Sequence, residues 1–100
     1  MAYRVVWSSK AIDDVDAIAT YIARDSRSYA AAIVQKMLDL TRNLSNFPFS
    51  GRIVPEFEDE MIREKIAYSY RIIYRVQDET VTIAAVIHGK RLLEMDIGIE

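Results

Sequence analysis

Apolar residues recur at Ile12, Val15, Ile18, Ala19 and Ile22, the three-and-four spacing of a half-buried helix. Ser8 or Ser9 can cap its start, and Asp13, Asp14 and Asp16 sit toward the positive end of its dipole. A second stripe, Ala30, Ile33, Val34, Met37, Leu38, Thr41 and Leu44, predicts a helix from about Arg27 to Asn46. Asp25-Ser26 separates the two helices and leaves room only for a short connection, so they pack as an antiparallel hairpin. Pro48, in Phe47-Pro48-Phe49-Ser50-Gly51, ends the second helix.

Elsewhere the period is two. Tyr3 to Trp7 reads as a first strand and Met61 to Ile66 as a second. Tyr68–Val76 and Thr80–His88 form a hairpin across a polar turn of three residues, Gln77-Asp78-Glu79. Arg52 to Glu60 is a connecting loop or an edge strand, because Pro55 and the acids Glu56, Glu58, Asp59 and Glu60 oppose a central strand. Gly89 stops the last strand, and Leu92 to Glu100 reads as a helix turn or a partner-dependent segment. The order β-α-α-β-β-β predicts an α+β domain, with the N-terminal helical hairpin on one face of a small, mainly antiparallel sheet. Tyr70, Ile72, Tyr74 and Val76 lie on one side of the third strand, and Arg71, Ile73 and Arg75 on the other. In the fourth, Val81, Ile83, Ala85 and Ile87 alternate with Thr82, Ala84, Val86 and His88. The pattern does not say which face meets the helices.

The 100 residues make one domain, residues 1–100, large enough to fold without staples. There is no cysteine, which removes disulfides, thiolate nucleophiles and sulfur-ligated zinc, and a single histidine removes a His-rich metal site. No apolar run is long enough for a signal peptide or a membrane span, so a cytoplasmic protein without membrane contact is expected. A net charge of −2 opposes non-specific nucleic-acid binding. The charge is uneven, however: Met61 to Arg91 carries six Lys/Arg (Arg63, Lys65, Arg71, Arg75, Lys90, Arg91) against three acids (Glu64, Asp78, Glu79). A locally basic surface on the hairpin, with the only histidine at its end, is therefore a candidate site.

In order and spacing, WSSKAIDDVDAIATYIA, the run Ala30 to Ala32, FPFSGRIVPEF, IREK, YRIIYRV and IAAVIHGKR resemble the RelE/ParE superfamily of bacterial type II toxins, also called plasmid stabilisation proteins, from Tyr3 to Leu92. The resemblance implies a toxin paired with a cognate antitoxin, and no cofactor. Operator DNA would be met only through that antitoxin. The target would be either DNA gyrase, as for ParE-like members, or mRNA in the ribosomal A site, as for RelE-like ones. For RNA cleavage without a metal, the candidates are Glu56 as base, Arg63 and Arg71 as phosphate clamps and His88 as acid. Pro48-Phe49-Ser50-Gly51, Pro55-Glu56 and Arg71 match the ribonucleolytic pattern. The acids from Glu56 to Glu60 stand where lysine-using members are lysine-rich, and His88 is out of register by about one residue. The acidic balance, the PFSGR loop and the His88-Gly89-Lys90-Arg91 ending lean toward gyrase poisoning. Arg52, Arg71, Tyr74, His88 and Arg91 are the residues expected to bind a partner. A homologue that only binds its antitoxin is the third reading.

Blander roles stand beside each of these. Arg71 and Arg75 also fit solvated residues on an exposed face, or partners of Glu64 and the acid cluster. Arg63-Glu64 fits a structural cross-strand pair, His88 a core-edge histidine and Glu56 a loop acid. Trp7, Tyr68, Tyr70 and Tyr74 fit packing.

Overall fold

The computed structural model describes residues 2–89. Its elements are β1 (Arg4–Trp7), α1 (Ser9–Ala23), α2 (Arg27–Arg42), β2 (Arg52–Ile53), β3 (Ile62–Ala67), β4 (Tyr70–Gln77) and β5 (Thr80–His88). A single 3-10 turn, Asn43–Ser45, follows α2. The α+β expectation and the helical hairpin hold. Arg91 and the segment 92–100 lie outside the described residues.

Ser8 is the cap of α1 and Ser26 that of α2: each side chain accepts from the backbone three residues on, Ala11 N–H and Tyr29 N–H. The α-helix ends at Arg42, four residues short of the expected limit, because the chain tightens to 3-10 geometry before Pro48. Arg52–Ile53 is an edge strand of two residues.

The five strands lie in the order β1-β5-β4-β3-β2. Pairing is antiparallel except between β1 and β5, where Arg4 meets Thr80 in parallel. The β4–β5 turn is shorter than its polar residues suggested. Gln77 pairs with Thr80, leaving a two-residue turn in which Asp78 and Glu79 both have positive φ, 53° and 58°. That is the hand a two-residue hairpin needs to match strand twist.

The face that meets the helices carries Ile72, Tyr74, Val76, Val81, Ile83 and Val86, packed with Ala11, Ile33, Met37 and Leu44. The opposite face carries a smaller cluster of Val54, Ile62, Ile73, Ala84 and Ala85, covered by Phe57. The simple alternation expected in β5 fails at one point. Ile73 pairs with Ala85 but Tyr74 pairs with Ile83, so Ala84 is an extra, bulged residue. Beyond it the parity reverses, which moves Val86 and His88 onto the helix side.

Two side chains of the α1 segment satisfy the polar groups freed by this bulge. Ser8 Oγ donates to the Ala84 carbonyl at 3.0 Å, and Asp14 Oδ2 accepts from Val86 N–H at 2.9 Å. Asp14→Ala removes the second bond and leaves a part-buried donor unpaired. A loss of about 1–3 kcal/mol is expected, read as a lower urea midpoint at unchanged slope.

Candidate functional site

Arg71, in the middle of the sheet, organises the charged residues on the face away from the helices. Its neighbour across β3 is Ile66, and Glu64 lies one pair further along the same face. Arg71 Nη1 and Nη2 donate to Glu56 Oε2 and Oε1 at 2.9 and 2.8 Å, a bidentate pair. Arg71 Nε donates to Glu64 Oε1 at 2.6 Å. The other oxygen of Glu64 accepts from Arg52 Nε, in direct register across the β2–β3 pair. The side chains of Arg71 and Glu64 are 7% and 0% exposed, those of Glu56 and Arg52 23% and 64%. The guanidinium of Arg71 is held above its ordinary pKa, first by the hydrogen bond to Glu56, with burial opposing and Glu64 adding to the rise. Among the described residues the network holds two arginines and two glutamates, whose charges cancel, so these four form a neutralised network rather than a basic patch.

The other expected residues lie elsewhere. Arg63 pairs with Tyr74, whose side chain is in the helix-side core, so Arg63 is on the opposite face from Arg71. It donates to the carbonyls of Glu60 (2.7 Å), Gly51 (3.1 Å) and Phe49 (3.3 Å), and its guanidinium lies 5.2 Å from the Phe49 ring. It fastens the loop before β2; the expected Arg63-Glu64 cross-strand pair is replaced by Arg52–Glu64 and Arg71–Glu64. His88 pairs with Tyr70 and meets its ring edge-on at 5.7 Å, whereas Arg71 pairs with Ile87. The bulge at Ala84 therefore sets His88 and Arg71 on opposite faces. Glu56 and Arg71 come together; Arg63 and His88 do not join them. Tyr74, expected to bind a partner, is fully buried, and its hydroxyl accepts from Gly51 N–H at 2.9 Å. Burial raises its pKa, and the role the structure gives it is to hold the loop. Among the described residues, no group of three or more His, Asp or Glu is placed to hold a metal, and no helix is long and apolar enough to cross a membrane.

Glu64, read from the sequence only as a pairing partner of Arg71 or Arg63, is the buried acid of the network, and its pairing with Arg71 holds. Its signal is parity: it shares a strand face with Ile62, which is buried against Ile73. An acid on that face needs a buried cation, and Arg71 supplies it.

A second feature is apolar. Trp7, Ile12, Val15, Ala19, Val34 and Leu38 line an open groove along the helical hairpin. It continues over Ala23, Ala30 and Ala31, whose small side chains allow close backbone approach. Ile12 and Leu38 are 55% and 40% exposed, more apolar side chain than an unpartnered helix pair usually leaves in water.

The family model for the ParE toxin of type II toxin-antitoxin systems, parDE, matches residues 5–93. The chain belongs to the ParE toxin family. Two solved structures share the ParE-family fold. One, from the chromosomal ParDE toxin-antitoxin system of P. aeruginosa, has a TM-score of 0.71 and 21% identity, covering 87% of this chain and 96% of that one. The other, in the toxin-antitoxin complex RelBE2 of Mycobacterium tuberculosis, has a TM-score of 0.57 and 23% identity, covering 88% of this chain and 92% of that one. No curated protein matches the sequence significantly. The superfamily resemblance, with its lean toward ParE, is thereby confirmed: this is a ParE-family toxin of the type II toxin-antitoxin class.

Proposed function

We propose that this ParE-family toxin arrests growth from the cytoplasm by poisoning DNA gyrase. The observation that carries the reading is the neutralised state of Arg71. Ribonucleolytic chemistry at a phosphodiester needs uncompensated cations at the phosphate and a proton donor beside the leaving oxygen. Here Arg71 is bound to two carboxylates, Arg63 is committed to loop carbonyls on the other face, and His88 is turned away by the bulge. The acids Glu58, Asp59 and Glu60 further weaken the field an RNA strand would meet.

Ribosome-dependent mRNA cleavage is the second reading, favoured by one observation: Glu56 and Arg71, the two residues matching the ribonucleolytic pattern, are in contact. The groove on the helical hairpin is the surface proposed for the antitoxin, which would seat an amphipathic segment by coupled folding and contact operator DNA with its other part. Purified toxin incubated with gyrase and supercoiled plasmid is expected to trap cleaved DNA or abolish supercoiling. No effect at large molar excess, with A-site cuts in a translation reaction, transfers the assignment to mRNA cleavage. Unimpeded growth on expression without antitoxin leaves only the binding role.

A further inference from the structure

The groove on the helical hairpin is charged at its two ends and apolar between them. On α1, Ile12, Asp16, Ala19 and Ala23 recur at spacings of three and four and form one row along it, while Ile18 and Ile22 pack against the core. Asp16 thus takes a place in an apolar row, and it is the one charged side chain lining the Trp7 end. Arg27 is the one charged side chain lining the other end, beside the α1–α2 turn. Ala19 and Val34 line both stretches, so the two form one channel. Asp16 and Arg27 are exposed, and among the described residues neither side chain has a hydrogen-bond or ion-pair partner. Nearby cations are engaged elsewhere: Lys10 pairs with Asp14, and Arg24 lies over the Tyr21 ring. Arg27 opens α2, so the helix dipole adds to the positive end. Asp16 precedes Ala23 by two helical turns, which sets the two charges about 10 Å apart along the channel.

Resting on the assignment of this groove to the antitoxin, we propose that its two ends select the charge register of the docked helix. The helix carries a Lys or Arg beside its apolar stripe, opposite Asp16, and an Asp or Glu about seven residues away, opposite Arg27. The apolar floor supplies affinity but is indifferent to how an amphipathic helix slides or points. The two charges are not indifferent. A slip by one turn separates both pairs, and a reversed helix sets like charges together. Asp16 and Arg27 are therefore specificity-determining residues, which reject apolar helices of the wrong charge order.

The test uses the full chain and three peptides about 18 residues long, with one leucine stripe on an alanine and glutamine background. They differ at two flanking positions about seven residues apart, which carry Lys and Glu, Lys and Lys, or Glu and Glu. The Lys/Glu peptide is expected to bind wild type about fivefold more tightly than either like-charged peptide, an advantage that shrinks as salt rises. Asp16→Arg is expected to transfer the preference to the Glu/Glu peptide, and Arg27→Glu to the Lys/Lys peptide. Leu38→Asp, which places a charge on the apolar floor, is expected to abolish binding of all three. If Leu38→Asp abolishes binding while the charge variants leave the ranking unchanged, the groove assignment stands and the charge register is overturned. Binding of none of the peptides, or binding that Leu38→Asp leaves intact, overturns the groove assignment itself. Self-association of the free toxin that Leu38→Asp abolishes gives the groove to a second copy and overturns both.

Discussion

Arg71→Ala is expected to destabilise the fold strongly rather than merely inactivate it. The substitution leaves Glu64, a carboxylate with no side-chain exposure, without its buried cation, and only the exposed Arg52 remains beside it. Breaking a buried ion pair from one side costs about 3–5 kcal/mol, because the orphaned charge keeps its desolvation penalty. A domain of this size has only about 5–15 kcal/mol of total stability. The expected reading is a melting temperature lowered by more than 10 °C, taking about 4–8 °C per kcal/mol for such a domain. Arg71→Leu with Glu64→Leu should recover most of the loss, since replacing both charges removes the uncompensated one. A toxin rendered harmless by Arg71→Ala alone would therefore say nothing about catalysis. If the single variant melts within a few degrees of wild type, the network is not what holds this face of the sheet.

Gly51→Ala is expected to be of similar severity for a steric reason. A Cβ at this position would lie 2.5 Å from the backbone oxygen of Glu64 and 2.6 Å from the Tyr74 hydroxyl. Neither is a yielding side-chain tip. One belongs to the adjacent strand, and the other is fixed by the bond from Gly51 N–H. Forced overpacking in a filled site costs about 1–3 kcal/mol or more, and the upper end is expected because the hydrogen bond must also stretch. Chemical denaturation measures it, and Tyr74→Phe separates the two collisions. That variant alone loses the acceptor for Gly51 N–H, yet combined with Gly51→Ala it should relieve only the collision with the phenol. Additive losses would mean the loop simply moves aside.

The sequence carried the layout well where one period and one cap acted alone. The serines ahead of α1 and α2, the helical stripes and Pro48 were enough to place both helices within a few residues. The hairpin of β4 and β5 was equally legible in YRIIYRV and VTIAAVIH. What escaped was decided by tertiary partners. Ala84 and Ala85 are both small and apolar, so nothing in their pattern marks an extra residue. The bulge exists because Ser8 and Asp14, some seventy positions away, offer the bonds that stabilise it. Alternation alone therefore could not place His88 relative to Arg71, and the bulge sets the two on opposite faces. Tyr74, read both as a binding residue and as packing, is fully buried, and its hydroxyl accepts from Gly51 N–H. In Glu64 an acid occupies an apolar parity, which makes sense only once Arg71 is known to lie diagonally across from it.

The parallel pairing of β1 with β5 has a consequence for when this toxin becomes dangerous. Arg4 lies against Thr80 and Trp7 against Ile83, so the first strand has no place in the sheet until the last has been synthesised. Contacts of such wide sequence separation form late and slowly. A chain still emerging from the ribosome can assemble its helical hairpin, but its sheet lacks the strand that bridges its two ends. The window between release and closure of that sheet is an interval in which a partner already present could engage the nascent molecule before it acts.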